Sequence, residues 1–494
     1  MSPQTTLFVL IAYFGVLFFI SWRTSRGATT ETFFTANRNA PWYLVAFGMI
    51  GASLSGVTFI SIPGKVGINA FSYMQIVFGY LLGYLVIATV LLPLYYKHNL
   101  TSIYQYLNNR FGFWSYKTGA SFFILSRVIG SAFRLFLAAG VLQIFLFEPL
   151  GIPFEIAVLV TIILVLLYTF QGGIKTIVWT DTLQTLFMLL AVGITIVIIG
   201  KELGLTSVSE IYTSVSGSKM SKIFFWDINT PENFYKQFLA GAFIAITMTG
   251  LDQDMMQKNL SCRTLGESQK NIFWFSIVLV FVNLLFLVMG VLLYMYAESK
   301  GIAIPERTDD LYPIIAQQHL PALAGILFLI GIIAAAYSSA DSALTALTTS
   351  FCVDFLGFEE YQTAMTEKDY KKSEQEKKST RLKVQVGFAA VLLAVILAFH
   401  YYNDRAVIDG IFTAATYTYG PLLGLYAFGM FTKIQIKDNF TPFICIISPI
   451  LTYAIVYFVN NPNYFTFLGN YKIGFEAILI NGGLTFLGLL LAKK

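Results

Sequence analysis

The stretch whose reading decides the fold is LPALAGILFLIGIIAAAYSSADSALTALTTSFCVDFL, Leu320 to Leu356. About twenty apolar residues suffice to cross a hydrocarbon core roughly 30 Å thick. This run is longer, and its second half is polar. Ser338, Ser339, Asp341, Ser342 and Thr345 stand where a spanning helix should be apolar. A carboxylate at that depth costs about 3 kcal/mol on insertion scales, so it faces protein, a water-filled cavity or a cation. Ser338, Asp341 and Ser342 fall at i, i+3 and i+4 and share one face, with Ala335 a turn earlier. Such a small, oxygen-rich face has the donor chemistry that a hard cation such as sodium prefers. Stripes of small residues also let membrane helices approach closely, and Ala334, Ala335, Ala336 and Ala343 read as packing. Packing does not call for a carboxylate, so Ser338, Ser339 and Asp341 together read as a cation site.

The rest of the chain supplies the same setting. Of 494 residues, 56% are hydrophobic and only 12% charged, the composition of an all-α integral membrane protein. The net charge of +5 gives no nucleic-acid signal. Three cysteines, Cys262, Cys352 and Cys445, suggest no disulfide framework. No basic segment and cleavage site precede the first apolar run, which reads as a retained span.

About thirteen spans are expected, at 5–22, 42–62, 70–96, 118–147, 151–171, 174–199, 237–257, 271–297, 320–356, 384–402, 408–431, 439–460 and 474–491. They are numbered in that order below. Loops on one side, including 258–270 and the mixed-charge segment 357–383, hold 21 Lys and Arg against 9 on the other. The positive-inside rule then puts the N-terminus outside and the C-terminus in the cytoplasm of a plasma (inner) membrane. The outside segment 201–236 carries an aromatic patch, Phe224 to Trp226, placed to fold over an entrance.

Two spans are poor continuous helices. Span 2 contains Gly48, Gly51, Gly56 and Pro63 among Ser53, Ser55 and Thr58. Span 7 gathers Thr247, Thr249, Gly250, Asp252, Gln253 and Asp254 in its second half. Interrupted hydrophobic segments in corresponding halves point to an inverted-repeat transporter with a midplane site. Unwound backbone at that depth is tolerated only where it lines a cavity or is buried in protein.

At these residues the chain resembles the sodium:solute symporter family. The matching stretches are GASLSGVTFISIPG (Gly51 to Gly64), GGIKTIVWTDTLQ (Gly172 to Gln184) and AAAYSSADSALTALTTSFCVDF (Ala334 to Phe355). The resemblance implies a LeuT-like core of two inverted five-helix repeats. Residues 1–40 would form the first span and its inner loop, and 41–200 the first repeat, spans 2–6. Residues 201–236 would be the outer loop, 237–431 the second repeat, spans 7–11, and 432–494 the last two spans. It also implies a sodium ion as coupling ion, no organic cofactor, a small organic solute, and a chain that works as a monomer in the bilayer.

Carried over position by position, the common sodium site would use the carbonyls of Gly51, Leu54 and Ala335 and the hydroxyls of Ser338 and Ser339. A second sodium site, present in some relatives, would use Asp181, Ser338, Asp341 and Ser342. Asp341 departs from the Ser or Thr often found there, and a carboxylate at that position could also hold a proton. Expected solute contacts are Ser55, Thr58, Gln75, Asp252, Gln253 and Thr413. Arg127 and Arg134 have no family match. They are seven residues apart on one side of span 4 and read either as solute anchors or as members of a structural salt bridge, for example Arg134 with Asp252 or Asp254.

Other function classes find no support in the residues. His98, His319 and His400 sit at loops or span edges with no acid or nucleophile constellation, so an enzyme is not expected. The phosphate-loop spacing GxxxxGK[ST] is absent, and IPGKVG does not match it. A carrier-like sensor would need an output domain beyond Lys494. A proton-coupled carrier on the same fold is the nearest rival, and Asp341 is its reason.

Overall fold

The computed structural model describes residues 3–26, 29–169, 173–358, 367–402, 407–461, 463–464 and 471–494. Gly172, Arg405 and residues 359–366 of the expected inner loop lie outside the described residues. Every regular element among the described residues is helical. A helix lies over each expected span. Among the described residues, eight helices are long and apolar enough to cross a membrane, and the bent pair in span 2 makes a ninth. Phe154–Thr169 and Ala477–Leu491 are apolar but shorter.

The helices are hydrophobic on more than one face, which suits burial in lipid rather than water. Phe8, Ile11, Phe281 and Phe443 point outward, whereas Leu17, Val77, Phe286 and Leu347 are buried. Between such helices little hydrophobic force acts, so close backbone approach does the packing. Spans 3 and 7 show it reciprocally. A Cβ on Gly79 would overlap the Phe238 carbonyl, and one on Gly241 would overlap the Ile76 carbonyl. Span 8 meets span 2 in the same way, with Gly290 against Pro63. Span 3 along span 7 and span 8 along span 2 is the exchange of partners that two related five-helix units produce.

Both suspect spans are broken. Span 2 runs as Trp42–Ser53 and Gly56–Asn69, bent by 54° between them. Span 7 runs as Phe234–Ala245, a π-turn Ile246–Gly250, and Gln253–Leu260. One expectation changes here. The inner loop was expected to begin at 258, but the helix continues to Leu260 and its residues 253–260 are all buried. Lys258 is therefore a membrane-embedded group, not a loop charge, and the basic excess on that side stands without it. Segment 201–236, expected outside, packs on span 3: Phe224 stacks on Phe78, and the Phe225 N–H donates to Gln75 Oε1 at 3.1 Å.

Candidate functional site

A helix end leaves its last carbonyls without intrahelical donors, and a break in mid-membrane must satisfy them otherwise. In span 7 the tertiary structure does so with phenols. Tyr95 OH donates to the Gly250 carbonyl at 2.8 Å and Tyr104 OH to the Leu251 carbonyl at 2.9 Å. Asp252 caps the following helix, accepting from the Asp254 and Met255 N–H groups.

Span 2 is left open. Leu54 sits at the break, its own N–H bonded to the Ile50 carbonyl, so Gly51 to Leu54 form the orphaned last turn. Among the described residues no side-chain donor reaches the Gly51 or Leu54 carbonyl. Facing this turn, Ser339 Oγ lies 3.3 Å from both the Ala52 and the Ala335 carbonyl oxygens. Ser338 and Ser339 are completely buried. Of the expected set, Ser339 and the Ala335 carbonyl thus lie against the last turn of the first half of span 2, the turn that carries Gly51 and Leu54. Ser338 departs in one respect, because its hydroxyl donates to Asp181 Oδ1 at 2.6 Å. Thr185, which sequence reasoning missed, presses on the same turn. Its buried Oγ1 has no hydrogen-bond partner among the described residues and occupies the space a Cβ on Gly51 would need.

One turn deeper, the residues expected for a second sodium ion have partners of their own. Lys258 Nζ lies 2.7 Å from Asp181 Oδ2. Asp341 Oδ2 accepts from Tyr168 OH at 2.9 Å, and its Oδ1 accepts the Ser342 N–H. Lys258, Asp181 and Asp341 are 2%, 1% and 0% exposed. Asp181 thus binds Lys258 and Ser338, rather than its chain neighbours Trp179 and Thr180.

Between the two breaks lies a small cavity of about 80 Å³. Ser55, Thr58, Arg127 and Arg134 line it, with Tyr73, Tyr80, Tyr84, Thr249 and Asn283. The two arginines differ sharply. Arg127 pairs with Asp254 and lies 3.7 Å from Asp252, whose Oδ2 also accepts from Tyr419 OH. Arg134 forms no hydrogen bond or ion pair among the described residues, and its Nε is buried without a partner. An unpaired guanidinium at a cavity wall offers five donors to a ligand.

Four expected solute contacts do not line this cavity, and three of them have partners of their own. Gln75 ties span 3 to the outer segment through the Glu232 carbonyl and Phe225 N–H. Gln253 bonds the Thr101 carbonyl and the Ile103 N–H. Asp252 serves as helix cap and as partner to Tyr419. Thr413 lines a separate vestibule instead, on the side expected to face outside. That vestibule joins the cavity through a narrower space with shared walls. Across this passage Lys65 on span 2 pairs with Asp409 on span 11 at 2.6 Å. Tyr73 stacks on Phe412 beneath the pair.

A family model described as Sodium:solute symporter family matches residues 33–436. The sodium/sialic acid symporter of Aliivibrio fischeri is 25% identical, covering 96% of this chain and 92% of that protein. That of Proteus mirabilis is 24% identical, covering 86% and 84%. The sodium-coupled monocarboxylate transporter 2 of Danio rerio is 25% identical, covering 87% and 67%. Among solved structures, a substrate-bound, outward-open Na⁺-coupled sialic acid symporter superposes with a TM-score of 0.80 at 18% identity, over 99% of this chain and 98% of that one. Two broken helices, a carbonyl-and-hydroxyl site between spans 2 and 9, and a family match over most of the chain agree: the protein belongs to the sodium:solute symporter family and has its LeuT-like fold.

Proposed function

We propose that this symporter imports a carboxylate-bearing, hydroxylated solute, with Arg134 gripping the carboxylate and one sodium ion bound by Gly51, Leu54, Ala335 and Ser339, with Ser338 beside it. The observation that carries the reading is the unpaired Arg134 on the wall of a cavity between the two helix breaks. A guanidinium matches a carboxylate with two parallel hydrogen bonds. Ser55, Thr58 and the tyrosine hydroxyls supply further polar contacts. Sialic acid and the monocarboxylates named for the relatives share the carboxylate.

Coupling follows from geometry. Sodium at the orphaned turn would tie span 2 to span 9, and Ser55 and Thr58 follow directly on that turn. Bound sodium thereby orders the solute contacts, and by linkage bound solute raises sodium affinity equally. The pair Lys65–Asp409 and the ring pair Tyr73–Phe412 stand across the outer passage, where access would alternate. With thirteen spans and the basic excess on one side, the positive-inside rule supports an N-terminus outside and a C-terminus in the cytoplasm, with the chain acting as a monomer. The test is uptake into sodium-loaded and sodium-free proteoliposomes of paired solutes, each carboxylate with its amide. Preference for the carboxylate under an inward sodium gradient supports the reading; equal uptake of acid and amide overturns the role of Arg134.

A further inference from the structure

We propose that the Lys258 ammonium is a built-in cation holding the place of a second sodium ion, so that this carrier couples a single sodium ion per cycle. The proposal rests on the sodium-coupled reading above and narrows its stoichiometry.

A sodium ion at Asp181, Ser338, Asp341 and Ser342 would need free oxygen lone pairs directed at one point. All four carboxylate oxygens already accept a hydrogen bond. Asp181 Oδ1 accepts from Ser338 and Oδ2 from Lys258, at 2.6 and 2.7 Å. Asp341 Oδ2 accepts from Tyr168 and Oδ1 from the Ser342 N–H. Of the four residues, only Ser342 keeps a side-chain oxygen without a partner among the described residues. The cation is present too. Lys258 Nζ is buried against Asp181, and a buried ammonium is stable only when paired. A sodium ion placed on the same carboxylate would face that ammonium within a few ångströms and be repelled by it.

Lys258 reaches the site because span 7 is broken. The cap at Asp252 restarts the helix, and Gln253–Leu260 carries Lys258 inward against spans 6 and 9. The ammonium thus ties a broken helix of the second repeat to Asp181 of the first. Lys258 is a positioning residue: it sets ion number without touching solute.

The experiment counts sodium-22 bound per purified, detergent-solubilised protein at saturation, without solute. The expected count is one for the native chain and for Lys258→Arg. Lys258→Gln removes the charge, leaves Asp181 uncompensated, and should admit a second sodium ion. Adding Asp181→Asn to Lys258→Gln should return the count to one. Two sodium ions on the native chain would overturn the proposal, as would a folded Lys258→Gln that still binds one. If Lys258→Gln cannot be purified, Asp181→Asn alone decides. Sodium affinity within about threefold of native is expected, and a loss of tenfold or more would make Asp181 a sodium ligand and refute the assignment. The solute reading fails on a separate measurement, the acid–amide preference, so the two are told apart.

Discussion

Arg127 and Arg134 are on one side of one helix, yet their replacement should have opposite consequences. Arg127 neutralises Asp254 and stands near Asp252, which are 1% and 0% exposed. Arg127→Gln leaves buried carboxylate charge uncompensated, a loss of about 3–5 kcal/mol. The purified protein should melt several degrees lower, and any change in uptake should follow from protein lost. Arg134 has no such partner, so Arg134→Gln orphans nothing and should melt within a degree or two of the native chain. Its effect should be on solute. Removing one partner of a desolvated, hydrogen-bonded charge pair costs about 2–5 kcal/mol. At about 1.4 kcal/mol per decade, half-saturating solute should rise between roughly thirtyfold and a few thousandfold. Arg134→Lys should fall between, since it keeps the charge and loses the planar fork. The assay pairs radiolabelled uptake in proteoliposomes with a thermal melt of the same preparations. Arg134→Gln and Arg134→Lys with native half-saturation would refute the reasoning, and so would a melt in which Arg134→Gln is the more damaged of the two glutamine variants.

Ser339→Ala removes an oxygen that lies 3.3 Å from the Ala52 carbonyl at the break and from the Ala335 carbonyl of its own helix, so half-saturating sodium should rise about ten- to a hundredfold with normal protein levels. Unchanged sodium dependence would remove the site. Gly51→Ala should abolish sodium-driven uptake because its Cβ would overlap Thr185 Oγ1, and Thr185→Ala in the same chain should restore part of it; a fully active Gly51→Ala would show that the turn tolerates displacement. Lys65→Met removes an ion pair that is partly exposed and so worth at most about 1 kcal/mol. It should raise outside labelling of a cysteine at Ile408 on the cavity wall by about fivefold or less, and no change would mean that Lys65–Asp409 does not bar the passage.

Hydropathy is a local property, so the sequence alone determined that the chain is helical and membrane-embedded. The breaks were legible for the same reason. Gly51, Gly56, Ser53 and Ser55 weaken a helix wherever it sits, and so do Thr249, Gly250 and Asp252. The face of Ser338, Asp341 and Ser342 followed from helical period, and the break interrupts span 2 just after the expected Gly51 carbonyl. What period cannot supply is the identity of the element opposite. Arg127 and Arg134 share a face by spacing, and only the approach of the restarted span 7 gives one of them Asp254 and leaves the other bare. Gln75 and Gln253 were polar residues at suitable depth, but backbone groups more than a hundred residues away hold their side chains. Lys258 is the clearest case. Its neighbours in sequence place it at a membrane edge, while the helix restart at Asp252 folds it inward against Asp181. Along a chain, charge reports which side of the membrane a segment prefers; which charge neutralises which is set by packing between distant helices, and that the tertiary structure alone decided.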